Sequence, residues 1–256
     1  MQDRNCLKIL FVNVGCVHSK VCIVLYFLGI CLTDLPEEII IYILQFIPET
    51  ELLFSVRKVN QRLCEIIDNS NVIVDVIFDD CYILDEELLT AITKHASHIK
   101  SFQIAFQEIV MDNFKFNNLL SSLAYAELLT TLDLSVCPVS DISFVPYLTS
   151  LVCLNLSSTN IDDSQLKYIC LPKLTYLYRS FNNISIYAVL DTLTILGIKY
   201  LDINGIPCTY EQFLKAILFF PTICGIHATF QTVEDNENAI QQIWQIKLYC
   251  TSMICN

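Results

Sequence analysis

Few residues in this chain are spaced as catalysis or metal binding would need. His95 and His98 are its close histidine pair, three positions apart as on one face of a helix. A metal would need more ligands, and no His-Glu-x-x-His, Cys-x-x-Cys or Gly-rich phosphate loop accompanies them. The expectation is a pair of surface histidines. Asp85, Glu86 and Glu87 could serve as paired carboxylates in acid–base work, but adjacent acids also suit the positive end of a helix dipole, and a first helical turn is expected there. No Gly-x-Ser-x-Gly elbow occurs. The residue types therefore predict no catalytic group, no metal and no cofactor.

Any function must then lie in surfaces, and the elements that present them are written in the patterning. The chain has 256 residues, of which 54% are hydrophobic and 16% charged, so much of it must be buried. Five Gly and seven Pro leave little room for a flexible linker protein and favour closely spaced regular elements. The formal charge of −12, with no cluster of basic residues, would repel a polyanion and argues against nucleic acid as a ligand. Thirteen Cys, an odd number without paired short spacings, read as reduced core thiols, which points to the cytoplasm or nucleus.

Residues 9 to 33 are apolar apart from Lys20, and their length approaches that of a bilayer span. Lys20 near the centre and an uninterrupted run of only Val21 to Leu32 make a spanning helix costly, and no small-x-small cleavage pattern marks a signal peptide. A membrane partner is therefore not expected. A strand or helix packed on a neighbouring element, or a poorly ordered extension, are the other readings. Asn155-Leu156-Ser157 and Asn183-Ile184-Ser185 would matter as glycosylation acceptors only in a secreted chain.

From Leu35 to Pro48 a helix is expected. Asp34 can cap it, Pro36 fits its first turn, and Glu37 and Glu38 meet the dipole. Ile39, Ile43, Phe46 and Ile47 fall at helical spacing, and Ile40 and Leu44 widen the apolar stripe beyond what one core face needs. A second helix is expected from about Glu51 to Asp68, carrying Leu52, Leu53, Val56, Val59, Leu63 and Ile66.

In order and spacing, Leu35-Pro36-x-Glu38-Ile39, Ile43-Leu44, Pro48, Leu52-Leu53, Val59 and Arg62 resemble the F-box. Leu63 stands where that family usually carries an aromatic. The resemblance implies a small helical unit that docks on a Skp-type adaptor held by a cullin scaffold. By position, the adaptor-facing residues would be Leu35, Pro36, Ile39, Ile43 and Leu44, with Val56 and Val59 from the second helix.

Behind this segment an apolar-x-x-apolar-x-apolar pattern starts at Ile73, Ile99, Leu129, Leu151, Leu174, Ile198 and Ile223, at separations of 26, 30, 22, 23, 24 and 25 residues. This resembles leucine-rich repeats, whose period is roughly 20–29 residues. The resemblance implies short parallel strands, a turn residue such as Cys81, Cys137, Thr159 or Asn182 that satisfies backbone groups, and return segments, including a return helix over Ile161 to Ile169. Arg179 falls where an inward Leu belongs, so either the strand near Leu177 is shifted or Arg179 has a partner.

The fold class expected is α/β. A three-helix F-box-like unit at 33–70 follows an apolar extension at 1–32 and precedes a leucine-rich-repeat solenoid at 71–256 of short parallel strands and return helices, with a partial eighth repeat near Ile243 to Met253. Period-two alternation turns Asp133, Tyr176, Tyr178, Tyr200, Asp202 and Asn204 outward on the strand-lined face, where they would meet a protein target bearing basic or amide groups. The whole reads as a non-catalytic adaptor that brings a target to a ubiquitin ligase. A membrane-anchored or secreted repeat protein, and a repeat scaffold with a non-functional F-box, are the alternatives.

Overall fold

The computed structural model describes residues 8–11, 23–26, 32–78, 86–104, 113–193, 197–209, 211–212 and 223–228. Asp79, Cys81, Asp85, Ala105, the expected eighth repeat at 243–253 and most of the 9–33 segment lie outside them. The chain divides into two compact units, one of residues 1–104 and 110–129, the other of 105–109 and 130–256.

In the first unit, β1 (Lys8–Phe11) and β2 (Ile23–Tyr26) pair antiparallel, so the described parts of the apolar leading segment are strands. No described helix is long and apolar enough to cross a membrane. Three short helices follow: α1 (Glu37–Leu44), α2 (Glu49–Phe54) and α3 (Gln61–Asn69). Asp34 does not cap α1; it closes a 3-10 turn at Leu32–Asp34, and the helix starts after Pro36, whose fixed φ of −54° and extended ψ of 147° hold the backbone out of the helix until Glu37.

The single helix expected from Glu51 to Asp68 is broken. A 3-10 turn at Val56–Lys58 intervenes, and Asn60, in extended conformation, accepts a hydrogen bond from the Leu63 amide at 2.9 Å to start α3 afresh. Ile40, Leu44, Ile47, Leu52, Leu53, Val56, Leu63, Ile66 and Ile67 are buried as the core of these helices. Arg62 reaches back to the carbonyls of Thr33 and Leu35, fixing the chain's entry into α1.

The same unit holds β3 (Asp75–Phe78), α4 (Glu86–His95), β4 (Ser101–Ile104) and α5 (Asn113–Leu123), with β3 and β4 parallel and Asp75 opposite Ser101. In the second unit β5 (Thr131–Asp133), β6 (Cys153–Asn155), β7 (Tyr176–Tyr178), β8 (Tyr200–Asp202) and β9 (Gly225–His227) run parallel in chain order. A helix α6 (Ile186–Leu193) lies between β7 and β8 in the chain.

The first three apolar positions of each repeat are buried from Ile73, Val76 and Phe78 through Ile198, Leu201 and Ile203, with Arg179 as the one polar member. Repeat length decides how the chain returns. Spacings of 26, 30 and 24 residues carry α4, α5 and α6, whereas those of 22 and 23 hold only 3-10 turns at Val145–Tyr147 and Leu166–Tyr168. A 3-10 segment rises about 2.0 Å per residue against about 1.5 Å for an α-helix, so fewer residues can span the same return. The α-helix expected over Ile161 to Ile169 is therefore replaced by the second of these turns.

After each of β5 to β8 one residue adopts positive φ: Val136 (63°), Ser158 (55°), Phe181 (55°) and Gly205 (73°). The amides of Val136, Ser158 and Phe181 then donate to the carbonyls of Ser157, Ser180 and Asn204 at 2.7–2.9 Å, tying each turn to the next repeat. Gly205 is required twice over, since a Cβ there would stand 2.5 Å from the Phe181 ring. One position on, Thr159 and Asn182 act as the turn residues the sequence implies. The Asn182 amide donates to the Leu156 carbonyl at 2.6 Å and its oxygen accepts from the Thr159 amide at 3.1 Å.

Arg179 meets neither expectation. Its strand is in register, with Leu177 opposite Leu154 and Leu201, yet the side chain is wholly buried and none of its three nitrogens has a hydrogen-bond partner among the described residues. Burial alone pushes its pKa down to about 9.

Candidate functional site

Two surfaces present themselves, one in each unit. On α1 the inner stripe of Ile40 and Leu44 is fully buried, while Ile39 and Tyr42, with Phe46 in the turn that follows, are 48%, 61% and 67% exposed, and Val59 is 62% exposed in the connection before α3. Tyr42 and Phe46 meet edge to face at 5.2 Å between ring centres, forming a continuous aromatic ridge. Of the residues singled out from sequence, Pro36, Ile39 and Val59 are exposed and Leu35 and Ile43 half-buried. Leu44 and Val56 are corrected: they pack in the chain's own core and cannot reach a partner without unfolding it. Tyr42 was missed, and Phe46, noted from its helical spacing but not assigned to the partner, also faces out.

Also in the first unit, Asp68 of α3 gathers two cations and a histidine ring. Arg57 grips it with two nitrogens at 2.8 and 3.1 Å, Lys94 of α4 stands at 3.0 Å, and the His95 ring at 3.6 Å. The Arg57 hydrogen bonds, with help from Lys94, hold the Asp68 carboxyl well below the usual carboxylate range against the opposing effect of burial. His95 is thus corrected from a surface residue to a buried one, and burial pushes its pKa down although Asp68 draws it up. No group of three or more metal-ligating side chains occurs among the described residues.

In the second unit, register aligns the outward residues in rows. One row reads Thr131, Cys153, Tyr176, Tyr200, Gly225; the next reads Asp133, Asn155, Tyr178, Asp202, His227. Tyr176 and Tyr200 stack face to face, centroids 4.9 Å apart with planes 3° from parallel. In the second row Asp133, Asn155 and Asp202 each accept the amide two residues on, at 2.9, 3.1 and 2.9 Å, closing an Asx turn at the strand end. The Asn155 amide also donates to Asp133 at 3.0 Å, and His227 Nδ1 lies 3.4 Å from Asp202. Asn204 completes the set with a buried side-chain oxygen that has no hydrogen-bond partner among the described residues. All six residues expected on this face are at least partly exposed, Tyr200 most of them at 43%.

Residues 32–75 match the family model described as the F-box domain. No curated protein matches the chain. Among solved structures, the internalin InlF of Listeria monocytogenes is similar over 68% of this chain and 47% of its own, so this chain spans about half its length, at 17% identity and a TM-score of 0.46. The internalin InlC2 of the same organism is similar over 78% of this chain and 92% of its own, at 15% identity and a TM-score of 0.45. The repeat assignment rests on the strands' own register, burial and spacing. The chain carries an F-box domain at residues 32–75, followed by leucine-rich repeats.

Proposed function

We propose that this protein is a non-catalytic substrate-recognition adaptor of a cullin-type ubiquitin ligase, its F-box at about 33–70 binding a Skp-type adaptor and its repeats, within 71–256, a protein target. The observation that carries the reading is the two-sided α1: one apolar face is spent on the chain's own core, and the other, Ile39 and Tyr42 continued by Phe46 in the turn after it, is left in solvent. An exposed apolar patch of this size is costly unless a partner covers it. The mode is helix in groove, in which Pro36, Ile39, Tyr42, Ile43, Phe46 and Val59 act as anchors. Each fully buried anchor contributes roughly 1.5–3 kcal/mol gross, so six can exceed an association cost of roughly 4–15 kcal/mol. The adaptor then acts by proximity, raising the effective concentration of a target beside charged ubiquitin.

Pull-down from cells of the full chain, scored for the Skp-type adaptor and the cullin, tests this. Wild type is expected to capture both, Pro36→Ala to capture less, and Ile39→Asp to capture neither. Equal capture by wild type and Ile39→Asp, or capture of neither by wild type, would leave a repeat scaffold with an inert F-box.

A further inference from the structure

The outward rows of the second unit say more about what the repeats bind, on the premise that they bind a protein target at all. In the second row the short polar side chains are tied to one another and to their own turns: Asn155 donates to Asp133 and accepts from Ser157, Asp133 accepts from the Ser135 amide with one oxygen and from Asn155 with the other, and Asp202 accepts from the Asn204 amide. What is left over is charge and π-face. No Lys or Arg stands at any outward position of β5 to β9, and the one ring beside these carboxylates on the described sheet is that of His227, at Asp202.

The first row supplies a slot. The Tyr176 and Tyr200 rings stack across one strand spacing, and a Cβ at Gly225 would lie 2.8 Å from Tyr200 Cδ1, so the pair leans toward β9 over a residue with no side chain. The opposite face of Tyr176 looks over Cys153, a small, half-buried residue one strand away, with Thr131 beyond it. Asp133 borders that space: after burial, its charge is what pushes the Cys153 thiol up.

We infer that this slot is an arginine subsite, in which a guanidinium from an extended segment of the target protein lies on the free face of Tyr176 above Cys153 and turns its N–H groups toward Asp133. A planar guanidinium both stacks on an aromatic face and bonds a carboxylate, which an ammonium or a neutral amide does less well. Asp202, in the same row as Asp133 and three strands along, favours a second basic residue in the same segment.

The test is titration of the purified full chain with an acetylated, amidated peptide of three Gly-Arg repeats and with its citrulline counterpart, which keeps the shape and removes the charge. The citrulline peptide should bind about tenfold more weakly. Asp133→Asn, which keeps the Asx turn, and Cys153→Leu, which fills the slot without changing charge, should each weaken the arginine peptide about fivefold. The Glu37→Gln, Glu38→Gln double variant, removing two exposed charges from α1, should leave binding unchanged. Equal binding of the two peptides, full binding by Cys153→Leu, or a loss in the α1 control as large as that in Asp133→Asn would overturn the subsite. Since no Skp-type adaptor is present in this titration, its failure would leave the ligase reading standing, and a failed pull-down would leave this subsite standing.

Discussion

The two units treat buried charge in opposite ways. Asp68 in the first is ringed by Arg57, Lys94 and His95, whereas Arg179 in the second sits fully buried with no partner among the described residues. Their surfaces differ in the same sense. The helices leave Ile39, Tyr42, Phe46 and Val59 in solvent, while the sheet face is polar and aromatic, with its apolar residues turned in. A helical unit whose ionic interior joins α3 to α4 is built to hold one shape and offer one greasy patch. A repeat that tolerates an orphan cation is held by its neighbours, because each repeat in an array draws its stability from the next. On the function proposed above, that difference corresponds to fixed docking by the first unit and exchangeable recognition by the second.

Removing the shared carboxylate should give the larger effect. Asp68→Ala removes the carboxylate that Arg57 and Lys94 share and is expected to destabilise the first unit by roughly 3 kcal/mol in denaturant unfolding. The pH dependence follows. The folded Asp68 titrates below its unfolded value of about 4, so its contribution is complete above that pH and is lost as pH falls through the folded value. His95 titrates below about 6.5 in the folded state, so the unfolded chain takes up that proton first and stability starts to decline as pH drops below about 6.5. A unit equally stable at pH 7 and pH 5 would contradict this account of His95.

Arg179→Leu should work in the opposite direction and by less, stabilising the second unit by about 2 kcal/mol, since a buried charge exchanged for a well-packed apolar side chain removes a desolvation cost. Thermal unfolding checks it. A lower midpoint for Arg179→Leu would mean that the guanidinium is paired in solution, and the contrast between the two units would fail.

Much of the array was legible because each repeat states its inward Leu or Ile and then its turn residue. Leu151, Leu154 and Leu156 are buried, and Thr159 and Asn182 bond the backbone as expected. The orientation of α1 was not. With Ile39, Ile40, Ile43, Leu44, Phe46 and Ile47 all apolar, the helical period cannot say which stripe faces in, and Leu44 was assigned outward while Phe46 was left out of the outward set. Asn60 did carry a signal, a capping residue ahead of Leu63, but the continuous apolar spacing across Val56 and Val59 outweighed it. The burial of His95 depends on Asp68, which lies 27 positions earlier in the chain, and no local pattern reports such a pairing.

The separation of a docking surface from a recognition surface can be measured by amide hydrogen exchange on the full chain with and without a Skp-type adaptor. The account predicts added protection in α1 and the Ser55 to Asn60 connection, with exchange at Cys153 to Asn155 and Tyr176 to Tyr178 unchanged. Protection that appears on those strands instead, or nowhere in the chain, would contradict it.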